Sequence, residues 1–153
     1  MPEERRNAVN EKSSKIISCM LIDDDLDDQE VFRMALERID PDIVCLFAND
    51  GVRGLERLYV DASFIPDFIF VDINMPRING LECIKEIRKI SWLKDVPLYV
   101  YSTSLNPASI EECKRHGATD CVEKFAEFAD LGNYLKGVLA ALRPTNNQGF
   151  TGM

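Results

Sequence analysis

Short apolar runs alternate along this chain with segments whose apolar residues recur every three or four positions. The runs read as strands and the periodic segments as helices. A first run covers 16–22 and stops on Asp23-Asp24-Asp25. Val31, Phe32, Ala35, Leu36 and Ile39 then keep helical spacing up to Asp40-Pro41, where proline closes the helix. A second run, 43–47, leads through the turn Asn49-Asp50-Gly51 into a helix carrying Val52, Leu55, Leu58 and Tyr59. Pro66 marks the entry to a third strand, 67–71, whose Phe68-Ile69-Phe70-Val71 has no polar side. Such a run predicts a strand buried on both faces, as in parallel sheets covered by helices. Leu81, Ile84, Ile87 and Ile90 space out a third helix, with Gly80 just before it. The fourth strand, 96–101, carries Pro97 near its start, where a missing N–H is tolerated. Asn106-Pro107 is a cap followed by proline at the first helical position, and His116-Gly117 ends that fourth helix. A short fifth strand, 119–123, precedes a fifth helix built on Phe128, Leu131, Leu135, Val138, Leu139 and Leu142 and stopped by Pro144.

Five strands alternating with five helices predict an α/β fold, a doubly wound parallel sheet with helices on both faces. The aperiodic polar segments 1–15 and 144–153 read as a loose arm and a tail around one domain, 16–143, with no room for a second.

The formal net charge of -8 argues against a nucleic-acid binder working through a basic surface. No apolar run approaches the ~20 residues needed to span a bilayer, and the first residues lack a secretory segment, so a cytoplasmic location is the default. The five cysteines (Cys19, Cys45, Cys83, Cys113, Cys121) form no C-x-x-C, and with one histidine they suggest no zinc site. They read as small residues of the interior.

In an open parallel sheet, ligands bind at the carboxyl ends of the strands. Those ends carry Asp23-Asp24, Asp72, Ser102 and Lys124. With the first strand beside the third, three carboxylates would converge and repel one another. A hard divalent cation with oxygen ligands, Mg²⁺, is the natural relief. Lys124 would add a fixed positive charge and Ser102 a hydroxyl, so that an anionic group on Asp72 is held on three sides. That is a phosphoryl-transfer site. An EF-hand reading of Asp23, Asp25 and Asp27 fails, because Asp28 and Met34 stand where glycine and glutamate are required. Asp27 and Asp28 read as favourable charges at a helix N-terminus, and His116 as an exposed residue in a helix's last turn.

The set Leu21-Ile22-Asp23-Asp24-Asp25, Phe70-Val71-Asp72-Ile73-Asn74-Met75-Pro76 with Gly80, Val100-Tyr101-Ser102, and Gly117-Ala118-Thr119-Asp120 with Lys124 resembles the receiver domain of two-component response regulators. The run Asp24-Asp25-Leu26-Asp27-Asp28 resembles the single-domain, chemotaxis-regulator-like receivers that accompany phytochrome-type and hybrid sensor kinases. The resemblance implies a flavodoxin-like (βα)5 fold with strand order 2-1-3-4-5. It implies Asp72 as phosphoacceptor, fed by a sensor histidine kinase or histidine phosphotransfer protein. Asp24, Asp72 and the backbone carbonyl of Asn74 would bind Mg²⁺, with Asp23 acting through water. Lys124 and Ser102 would bind the phosphoryl group, and Asn74 and Ser104 would tune its lifetime. Such a protein is a switch rather than a turnover enzyme. Output would pass to a separate protein target, with no DNA-binding domain, and a homodimer is open to it.

Two positions depart from the family pattern. Phe125 stands where proline usually follows the lysine through a cis bond. A cis bond before a non-proline residue costs about 3–4 kcal/mol, so a trans bond is expected here, with Lys124 slightly moved. Cys121 stands where an aromatic ring is usual, which leaves other surfaces of the fourth helix and fifth strand, with Tyr99 or Tyr101, as candidates for an output switch. Rival classes are a phosphorylation-independent binding module and an aspartyl phosphatase. Asn74 cannot supply the general acid that the phosphatase needs. A nucleotide binder lacks its glycine-rich loop.

Overall fold

The computed structural model describes residues 16–142. The expected arm (1–15) and tail (144–153), with residue 143 and Pro144, lie outside the described residues.

Five strands, β1 (Ser18–Ile22), β2 (Val44–Ala48), β3 (Phe68–Val71), β4 (Leu98–Ser102) and β5 (Asp120–Glu123), form one sheet in the order β2-β1-β3-β4-β5. All four pairings are parallel. Five helices alternate with them: α1 (Leu26–Ile39), α2 (Gly51–Val60), α3 (Gly80–Lys89), α4 (Pro107–Arg115) and α5 (Phe128–Leu142). This is the flavodoxin-like arrangement expected from the sequence.

Successive strand residues point to opposite faces, and each face has its own core. Met20, Ile22, Ile69, Val71, Leu98 and Val100 pack with Leu58 of α2, Ile84 and Ile87 of α3 and Cys113 of α4. Cys19, Leu21, Phe68, Phe70, Tyr99 and Tyr101 pack with Phe32 and Leu36 of α1 and with Leu131, Leu135 and Leu139 of α5. The four residues of β3 are at 0% exposure, as its continuous apolar run requires.

Element edges moved where hydrogen bonds, not apolar periodicity, decide them. α1 starts at Leu26, well before its first regularly spaced apolar residue, because the Asp25 side chain caps it by accepting from Asp28 N at 3.1 Å. Ile43 belongs to the turn after α1, bonded to Asp40 O. Val96 and Pro97 precede β4. Proline has no N–H for a ladder, although its carbonyl still accepts from Ile69 N at 2.9 Å. Gly80 is the first residue of α3, not the one before it. Asn79 caps that helix in a reciprocal box with Glu82. A 3-10 turn at Ser91–Leu93 has no counterpart in the apolar pattern. Asn106 and Pro107 do open α4, and Gly117, at φ 122, follows its last turn.

Candidate functional site

Placing β1 beside β3 brings two carboxyl ends together. Ile22 pairs with Val71, so Asp23-Asp24 and Asp72 leave the sheet side by side. Donor oxygens of Asp23, Asp24 and Asp72 all lie within 4.8 Å of one another. Asp23 is fully buried and Asp72 6% exposed, while Asp24 faces solvent. Asp23 Oδ1 accepts from Asp25 N at 2.9 Å, and Asp72 Oδ1 accepts from Asn74 N at 3.1 Å. These bonds aim the carboxylates.

Lys124 follows β5, and its N–H bonds to Ser102 O at 2.7 Å. Its ammonium reaches back over the strand ends to Asp28 Oδ2 at 2.7 Å, Asp23 Oδ2 at 2.9 Å and Asp72 Oδ2 at 3.4 Å. The contact with Asp23 is an ion pair without hydrogen-bond alignment, so Asp23 Oδ2 is a buried oxygen with no proper donor. Burial pushes the Asp23 carboxyl up to about 6, against the opposing pull of Lys124. Burial alone would lower the Lys124 ammonium, but the nearby carboxylates of Asp28 and Asp23 hold it above the ordinary lysine value. Three carboxylates therefore share this ammonium, and Asp24 adds a fourth negative charge beside them. An all-oxygen, under-neutralised donor set with an orphaned buried oxygen fits a hard divalent cation.

Ser102 is buried, and its Oγ accepts from Asn74 Nδ2 at 3.1 Å, which links the ends of β3 and β4. Ser104, two residues on, is exposed and makes no hydrogen bond or ion pair among the described residues. Asp25 and Asp27 stay outside the carboxylate cluster, as the failed EF-hand reading requires. His116 is half-buried at the end of α4, not exposed as expected.

Gly80 allows the loop carrying Asp72 to sit against α3. A Cβ there would fall 2.5 Å from Ile73 Cα and 2.6 Å from Asp72 O. No backbone tolerates that approach, which is the physical reason for glycine after the Asp-x-Asn-Met-Pro turn.

Three residues have roles at the site that the sequence reading did not give them. Asp28 does sit in the first turn of α1, but it is also the nearest partner of Lys124. Its signal was helical phase, one turn beyond the acidic pair. Gln29 Nε2 bonds Asp23 O and Asn49 Oδ1, both at 2.8 Å, and so ties the end of β1 to the loop after β2. The Tyr101 ring lies under Lys124, with Nζ 5.5 Å from its centroid. Tyr99 and Tyr101 were candidates for an output switch, but both are buried in the layer beneath α1 and α5. Rings of Phe32, Phe70 and Tyr134 surround them at 4.9–6.2 Å. Cys121 faces the other layer and packs toward Cys113. Among the described residues no peptide bond is cis, so the Lys124–Phe125 bond is trans as expected.

The sheet order and the carboxylates gathered at its carboxyl edge define a flavodoxin-like α/β domain with an acidic site. The chain belongs to the response regulator receiver domain family, whose pattern matches residues 19–136, and so to two-component signalling. It is 34% identical over 122 residues to the Regulator of RpoS of Escherichia coli strain K12, covering 78% of this chain and 34% of that protein. Chemotaxis protein CheY4 of Vibrio cholerae superposes with a TM-score of 0.72 at 25% identity, covering 81% of this chain and 99% of that one. The phosphorylated cyanobacterial phytochrome response regulator RcpA gives 0.71 at 25% identity, over 81% and 91% of the two chains. The chain spans 15–34% of the length of the first curated relatives it matches. Among the described residues no helix is long and apolar enough to cross a membrane.

Proposed function

We propose that Asp72 accepts a phosphoryl group from a phosphohistidine on a sensor kinase or a histidine phosphotransfer protein. The observation that carries this reading is the position of Asp72. It lies at the carboxyl end of the central strand, within the acidic cluster and 3.4 Å from the Lys124 ammonium. The Asp72 carboxylate attacks phosphorus, the N–P bond of the donor breaks, an O–P bond forms, and the imidazole leaves with its electron pair. Lys124 and the Ser102 hydroxyl would hold the transferred oxygens. Asn74, which already bonds both Asp72 and Ser102, would flank them. Asp24, Asp72 and the Asn74 carbonyl would hold Mg²⁺, with Asp23 acting through water. The ion would offset the charge of the carboxylates and the incoming phosphoryl group.

The phosphorylated form then favours one arrangement of the strand ends, and protein contacts change with it. The net charge of -8 supports a protein target rather than nucleic acid as the output. In this reading the receiver domain is a cytoplasmic switch, not a turnover enzyme. The test is intact mass after incubation with acetyl phosphate, with and without Mg²⁺, beside Asp72→Asn. One added phosphoryl group that needs both Mg²⁺ and Asp72 is expected. Addition to Asp72→Asn, or no addition under any condition, overturns the reading.

A further inference from the structure

The Lys124 ammonium has three N–H donors and no acceptor. Three carboxylates crowd it, Asp28 at 2.7 Å, Asp23 at 2.9 Å and Asp72 at 3.4 Å. A phosphoryl group on Asp72 needs that ammonium, so one present partner has to give way. Asp72 is the residue that carries the group. Asp23 is fully buried and pinned by Asp25 N, so it has no solvent to move into. Asp28 differs: its side chain is 33% exposed, at the open end of α1. Its carboxylate can return to water at the least cost in desolvation. Asp28 is also the nearest of the three, so at rest the ammonium lies on its side of the cluster rather than against Asp72. The Tyr101 ring beneath Nζ keeps the lysine head inside the cluster when a partner is lost.

We propose that Asp28 is a positioning residue for Lys124, a competing counter-ion that must release the ammonium before a phosphoryl group on Asp72 can be gripped. This inference rests on the phosphoacceptor reading and deepens it. Asp28 holds the Lys124 ammonium in a paired resting state and weakens the site's grip on a phosphoryl group. Removing the competition strengthens that grip, and restoring a carboxylate at the same place restores the resting state.

The test measures affinity for beryllofluoride, a stable tetrahedral mimic of a phosphoryl group on a carboxylate, in saturating Mg²⁺. Fluorine resonance gives the readout for the full chain and for the variants Asp28→Asn, Asp28→Glu and Asp27→Asn. Asp27 is exposed in the same helical turn and makes no contact with Lys124, so its variant removes the same charge without freeing the ammonium. Asp28→Asn is expected to tighten binding about fivefold or more, the size of a partly exposed ion pair. Asp27→Asn should change it less than about twofold, because an exposed charge is screened. Asp28→Glu should stay near the parent value. Equal or weaker binding by Asp28→Asn overturns the proposal, as does equal tightening by Asp27→Asn, which would reduce the effect to general charge. Binding by the parent chain with no gain in Asp28→Asn overturns this inference alone. Absence of binding by the parent chain overturns the phosphoacceptor reading and this inference together.

Discussion

Gly80→Ala places one methyl group where the fold has no space. The new Cβ would stand 2.5 Å from Ile73 Cα, 2.6 Å from Asp72 O and 3.1 Å from Asp72 C. Non-bonded carbons rest at roughly 3.5–4.0 Å, so one side has to retreat by about 1 Å. All three atoms are backbone, so no rotamer change relieves the clash. Overpacking of this kind costs typically ~1–3 kcal/mol, and a backbone clash belongs at the upper end. For a domain of this size that is a fall in Tm of roughly 5–10 °C. The displaced segment carries Asp72 itself, and a 1 Å error in a reacting group costs up to ~100-fold in rate. Phosphorylation by acetyl phosphate should therefore slow by at least about tenfold at a temperature where the variant is folded. The same substitution at Gly137, inside α5, meets nothing within 4 Å. There the loss of backbone freedom in the unfolded chain dominates, and Gly137→Ala should stabilise by about 0.5–1 kcal/mol. Thermal and urea denaturation of the two variants reads opposite signs for one chemical change. A Gly80→Ala protein with the Tm and phosphorylation rate of the parent would refute the close-approach argument.

Other outcomes follow from the same geometry. Mg²⁺ at about a hundredfold excess over its Kd should stabilise the fold by ~2.7 kcal/mol. That gain should shrink in Asp23→Asn and Asp24→Asn; thermal denaturation without any Mg²⁺ dependence would contradict a cation at this cluster. Lys124→Met leaves Asp23, Asp28 and Asp72 without their shared ammonium and should cost about 3 kcal/mol in urea denaturation without Mg²⁺. A loss below ~1 kcal/mol would show that the ammonium does not stabilise the cluster. Burial pushes the Tyr101 phenol up to about 12 from 10.0, against the opposing pull of Lys124. Between those values the unfolded phenol loses its proton while the folded one keeps it. Tyr101 should therefore contribute a loss of roughly 2–3 kcal/mol between pH 10 and pH 12, and Tyr101→Phe removes that share while the raised Lys124, Tyr99 and Tyr134 keep theirs. Absorbance titration checks it, and ionisation of Tyr101 near pH 10 would be the contrary result.

The alternation of strands and helices was legible because each element's burial is written locally. Phe68-Ile69-Phe70-Val71 has no polar side, so it could only be a strand covered on both faces. Asn106-Pro107 and Gly80 are local too, since a cap or a glycine meets its need within a few residues. Strand boundaries slipped at Ile43 and Pro97 because a ladder hydrogen bond needs a partner strand that apolar periodicity does not name. Tyr99 and Tyr101 became switch candidates because Cys121 stands where an aromatic ring is usual. Their burial depends on α1 and α5 closing over the sheet.

Sequence alone determined the chemical inventory of the site: two acids after the first strand, one after the third, a hydroxyl after the fourth and a lysine after the fifth. Tertiary structure decided their distances. Lys124 meets Asp72 from 52 positions away and Asp28 from 96, and contacts that distant depend on strand order and helix phase together. The order β2-β1-β3 sets Asp23-Asp24 beside Asp72. The cap at Asp25 fixes where α1 begins, and one turn of helix later Asp28 faces the lysine. A carboxylate that reads as an ordinary helix-end charge thereby becomes the nearest partner of Lys124. Only the packing of α1 against the sheet could select it over Asp27 next door.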